Sequence, residues 1–133
     1  MPNGGKQAKT PSLMAAYQWL FFGMSGRIGR EVYWLAFFFI VVILGIALQP
    51  SIDPETGSVS LRGGGLAVVA LLVAVIANIA IGVKRLHDFN VSGMFAVTLF
   101  VPFLSVIATL VIGLLPGNPG PNRFGDAPDI QPD

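Results

Sequence analysis

The sequence predicts an all-α membrane protein: three transmembrane helices plus a short interfacial N-terminal helix. Three observations carry that prediction. Only 11% of the 133 residues are charged and 53% are apolar, where an ordinary soluble domain is roughly a quarter charged. A soluble globule of this composition would expose large apolar patches and associate, whereas lipid covers such a surface. Three apolar runs have a helical spanning length, and none alternates apolar with polar as a barrel strand does. Cysteine is absent, which excludes disulfides and cysteine-bound metals. A formal net charge of +1 offers no concentrated basic face for nucleic acid.

The elements follow in chain order. Residues 1–11 are polar and read as a flexible tail. Residues 12–24 read as a helix that starts at Ser12, after Pro11, and stops between Gly23 and Gly26. Its apolar run, 13–22, is too short to cross a bilayer, and Tyr17 and Trp19 favour the headgroup level. An interfacial placement follows. The spans are 32–48, 66–83 and 94–115, about 26, 27 and 33 Å long at the α-helical rise, around a hydrocarbon core of roughly 30 Å. The loop "QPSIDPETGSVSLRGGG" between the first two spans reads as surface. The tail over 116–133 has five prolines and three glycines, too many for a helix. The membrane domain is therefore 12–115.

Orientation follows from the basic residues. In a three-span arrangement Lys6, Lys9, Arg27, Arg30, Lys84 and Arg85 share one side, and Arg62 and Arg123 the other. The excess places the N-terminus in the cytoplasm and the C-terminus in the periplasm.

Three polar motifs punctuate the apolar runs: "GRIGREVYW" at 26–34, "RLHDFNVSG" at 85–93 and "PGNPGPNRFGDAP" at 116–128. Their order and spacing resemble a bacterial inner-membrane family catalogued as domain of unknown function 805, whose motifs are Gly-Arg-x-x-Arg-x-x-aromatic-Trp, Arg-Leu-His-Asp-x-x-x-Ser-Gly and Pro-Gly-x-x-Gly-x-Asn-Arg-aromatic-Gly-x-x-Pro. The resemblance runs from about residue 20 to residue 128. One departure is that Met94 and Phe95 stand where the family usually has tryptophan after Ser-Gly. The resemblance implies a small multi-span protein of the cytoplasmic membrane. It implies no catalytic residues, because the family has no established general activity.

Chemistry at His87 is the sharpest alternative. A catalytic metal normally takes about three protein ligands, and beside the single histidine only Asp88 is close in sequence. Ser92 is the only local nucleophile, and productive triads come from separated segments. A structural reading accounts for more residues. Ala74, Asn78, Gly82 and Arg85 share one helical stripe, and Thr98, Pro102, Ser105 and Thr109 form another. Small and amide residues of this kind pack transmembrane helices, and Asn78 can reach Thr98. Asp88 can pair with Lys84 or Arg85. A pairing of Arg30 or Arg85 with Glu31 or Asp88 would join the first two motifs. Asn90, Ser92 and Gly93 turn the chain. Arg27, Arg30, Lys84 and Arg85 at one interface also fit anionic headgroups, and Asn122 and Arg123 mark the tail motif.

The expected function is thus non-catalytic, without a cofactor or metal. It is that of an accessory or helix-packing subunit of a larger membrane complex, with lipids and other integral membrane proteins as partners and no nucleic acid. Tyr33, Trp34, Phe37, Phe38 and Phe39 on the first span offer a packing surface. The alternatives are a membrane enzyme or transport component using the Arg-Leu-His-Asp loop, or an anionic-lipid-binding protein.

Overall fold

The computed structural model describes residues 10–132; the expected N-terminal tail falls largely outside these, as do Lys6 and Lys9. The order of elements is α1 (Leu13–Phe22), α2 (Arg30–Ala47), β1 (Pro50–Ile52), β2 (Val59–Leu61), α3 (Gly65–Asp88), a 3-10 helix (Gly93–Phe100) and α4 (Pro102–Leu114). The chain is mostly helical. Two of its helices, α2 and α3, are long and apolar enough to cross a membrane.

Local sequence chemistry fixes most boundaries. Ser12 caps α1, its hydroxyl accepting from the Ala15 N–H at 3.2 Å, and Gly23 ends the helix. Glu31 lies in the first turn of α2, where a carboxylate suits the helix dipole. Between α2 and α3 the expected plain loop contains an antiparallel hairpin pairing Pro50 with Leu61, Ser51 with Ser60 and Ile52 with Val59. Asp53 makes its turn by accepting from the N–H groups of Glu55 (2.9 Å) and Thr56 (3.3 Å), and Gly57 supplies the positive φ of 67°.

The core lies where α2 and α3 cross, built from Tyr33, Ala36 and Ile40 against Ala74, Ala77 and Ile81, with Ile28 and Ile112 closing its motif end. The alanines let the two helices approach closely. The outward faces carry exposed Leu35, Phe38, Leu72, Phe103 and Val106, a surface suited to lipid and not to water.

Two expectations are corrected. The Lys84–Asp88 stretch, expected as a connector, is the last helical turn of α3. It is stable as helix because backbone carbonyls of neighbouring elements receive its charged side chains. The run 94–115, expected as one continuous span, is broken at Val101 (φ −88°, ψ 112°) ahead of Pro102. Proline has no N–H and pushes the preceding residue out of the helical region.

The broken run doubles back. Gly93 abuts Val83 and His87, and Leu99 lies against Gly82. Leu99 and Phe100 then reach the level of Ala74 and Val75, and α4 returns until the carbonyls of Ile112 and Leu115 meet Arg85. The 3-10 helix is about 16 Å long and α4 about 20 Å, so neither spans roughly 30 Å of hydrocarbon alone. Both ends of the run therefore lie at the Asp88 end of α3, and so does the tail. The tail thus lies beside residues 83–93, where a three-span arrangement would set it on the other side.

Candidate functional site

The three motifs converge at the Asp88 end of α3. The extended stretch before α2 brings Arg27 there, and the Ile28 N–H donates to the Lys84 carbonyl at 3.3 Å. Helix α3 supplies Lys84, Arg85, His87 and Asp88 from one turn, and the tail wraps over them. Arg27, Lys84 and Arg85 are fully buried, and Asp88 and His87 nearly so.

Asp88 sits between two guanidinium groups. The Arg27 Nε donates to its Oδ1 at 2.8 Å, and the Arg85 Nη1 donates to its Oδ2. Arg27 also donates to the carbonyls of Gly120 and Asn118, both at 2.7 Å. Arg85 donates to those of Ile112 (2.7 Å) and Leu115 (2.6 Å), so it caps the C-terminal end of α4. Lys84 does the same for α1, its Nζ donating to Trp19 O at 3.0 Å and to Gly23 O. Cations suit both places, since helix C-termini carry unsatisfied carbonyls and partial negative charge. Three buried cations face one buried carboxylate, and backbone carbonyls supply the remaining compensation. Asp129 adds a nearby carboxylate, accepting from the Gly29 N–H at 2.8 Å.

His87 is oriented by backbone and by the tail. Its Nδ1 lies 2.9 Å from the Gly26 carbonyl, which makes Nδ1 the protonated, donating nitrogen. Its ring stacks on Phe124, with centroids 3.8 Å apart and planes 5° apart. The Asn122 side-chain amide donates to the His87 carbonyl at 2.8 Å, and the Asn118 N–H donates to the Asp88 carbonyl at 2.8 Å. Gly117 must be glycine, because a Cβ there would fall into the Asp88 carboxylate.

The expected residues thus divide. Arg27, Arg85, His87, Asp88 and Asn122 come together, and Arg123 sits at the rim, donating to the Asn90 carbonyl at 3.3 Å. Arg30 and Glu31 are exposed and outside the cluster; the link between the first two motifs runs through Arg27. Ser92 caps the 3-10 helix by accepting from the Met94 N–H at 3.4 Å, and Asn90 makes the turn with φ 61°. Asn78, Thr98 and Ser105 lie away from the cluster. Thr98 and Ser105 donate to the carbonyls of Phe95 and Pro102, each at 2.8 Å, and Thr98 takes no bond from Asn78. Phe124, Gly117 and the capping role of Lys84 were not anticipated. The tail motif holds the first two, but their partners lie about thirty residues or more upstream. Among the described residues no three His, Asp or Glu side chains form a metal-binding group.

Comparison with known proteins covers the first two motifs and most of the third. The family model "Protein of unknown function (DUF805)" matches residues 21–126. The chain is 36% identical over 106 residues to inner membrane protein YhaI of Escherichia coli K12, covering 80% of this chain and 86% of that protein. It is 29% identical over 113 residues to inner membrane protein YhaH of the same strain, covering 83% and 90%. No solved structure matches. Since the match takes in the whole of the buried cluster and both long helices, the chain belongs to the DUF805 family of proteins of unknown function.

Proposed function

We propose that this chain is a small multi-pass protein of the bacterial cytoplasmic membrane, without catalysis of its own, that serves as a helix-packing accessory subunit of a larger membrane assembly. The observation that carries this reading is the internal use of the motif charges. Arg27, Lys84, Arg85 and Asp88 spend their hydrogen bonds on each other and on backbone carbonyls. A cluster so occupied holds helix ends and the tail together and leaves no buried cation facing a substrate. The same burial disfavours the anionic-lipid reading, which needs those guanidinium groups at the surface. What the molecule presents outward is an apolar surface with the aromatic residues Phe38 and Phe39 of α2, where a partner helix can pack.

In the proposed topology α2 and α3 cross the bilayer, α1 lies at the interface and 93–115 is a re-entrant hairpin. Both the N-terminal region and the tail then face the cytoplasm. Lys6, Lys9, Arg27, Arg30, Lys84, Arg85 and Arg123 share that side, with Arg62 alone opposite. That asymmetry is stronger than the three-span arrangement gives.

Extraction in mild detergent tests the functional reading. The chain is expected to migrate with other integral membrane proteins, well above its own mass. Migration as a lone monomer under conditions that preserve known membrane complexes would overturn the accessory role.

A further inference from the structure

A cavity of about 440 Å³ lies between α1, α2 and α3, and the 93–115 hairpin borders two smaller ones around Asn78, of about 360 and 220 Å³. The first is wholly apolar. The pair around Asn78 is different, because its apolar lining includes an amide with no hydrogen bond among the described residues. Trp34, Phe37, Asn78, Leu99, Ser105 and Thr109 line the larger of the two, and Phe37, Asn78 and Leu99 also line the smaller.

Asn78 lies ten residues before Asp88, about 15 Å along α3, close to the middle of a hydrocarbon core of roughly 30 Å. At that depth an unpaired amide is costly. Ser105 and Thr98 satisfy themselves on their own helices, and no bond to the Asn78 amide is formed among the described residues. Thr109, beside the buried Tyr33 hydroxyl, adds a second polar group to the wall of the larger cavity. A helix is about 10 Å or more across with its side chains, too wide for a cleft of this volume, whereas an alkyl chain fits. No ionisable carboxylate or ammonium lines either cavity.

We propose that the cleft around Asn78 is a binding site for an uncharged lipophile bearing a carbonyl, which accepts from the Asn78 amide while its alkyl part lies between Phe37 and Leu99. Trp34 in the wall makes this measurable in the intact protein. In phosphatidylcholine vesicles, a brominated long-chain ketone is expected to quench tryptophan emission saturably, with an affinity about three- to tenfold above that of the brominated alkane of equal length. Asn78→Leu removes that preference, and Thr109→Val weakens it. The wild-type comparison of ketone with alkane depends on no variant. Quenching that never saturates, or that is equal for ketone and alkane, overturns the proposal. So does an Asn78→Leu protein that keeps the preference, or one that loses a protein partner while its ketone quenching is unchanged.

Discussion

Asp88 accepts from guanidinium groups on both sides, one of them 61 residues away in sequence. Deleting one member of a buried ion pair leaves an uncompensated charge and costs about 3–5 kcal/mol; here two cations would be left. Asp88→Ala is therefore expected to lower the thermal unfolding midpoint in detergent more than any exposed substitution, and Glu31→Ala to leave it nearly unchanged. His87 makes a subtler case. Its contact with the Gly26 carbonyl runs through Nδ1, and the Asn amide nitrogen sits near that position while the Gln amide reaches beyond it. His87→Asn should therefore keep more of the wild-type midpoint than His87→Gln. If His87→Asn is as stable as wild type yet reproduces a deletion phenotype, His87 does chemistry that the packing account omits. At this scale the sequence was informative about local devices: the Ser12 cap, the Asn90 turn and the nearness of Arg85 to Asp88. It was uninformative about Arg27 as the second partner, because choosing between Arg27 and Arg30 needs the path of the chain between Gly23 and Gly29.

The 94–115 run shows where element-level reading stops. Its composition and length are those of a span, and Pro102 is a visible breaker, but apolar content cannot tell a crossing from a return. What decides is that the carbonyls of Ile112 and Leu115 are needed at Arg85, a contact made by backbone and so invisible in side-chain pattern. A kinked helix that continued across would leave the buried Arg85 without those acceptors. Pro102→Leu removes the break and restores an N–H. It should raise helicity by circular dichroism while lowering the thermal midpoint, because a straightened helix pulls the Ile112 end away from Arg85. A midpoint equal to or above wild type would mean that the return does not depend on Pro102. The β-hairpin was a different kind of miss. "SIDPETGSV" holds a legible turn in Asp53 and Gly57, hidden because its strands are only three residues each.

Across the whole molecule, the three motifs are one object. The glycines and prolines that deny the tail a helix also leave its carbonyls free, and those of Asn118 and Gly120 receive Arg27. Helices α1 and α4 thus end on Lys84 and Arg85, Arg27 ends on the tail, and the stretch before α2 meets the tail at one face. Because the protein has no cysteine, single cysteines report that arrangement without interference. Glu55→Cys lies in the hairpin at the far end of the long helices, and Asp126→Cys lies in the tail; both positions are exposed. A membrane-impermeant maleimide added to intact spheroplasts is predicted to label Glu55→Cys, and to label Asp126→Cys only after the membrane is opened. Labelling of both positions in intact spheroplasts would place the tail opposite the Arg85–Asp88 turn and contradict the buried cluster.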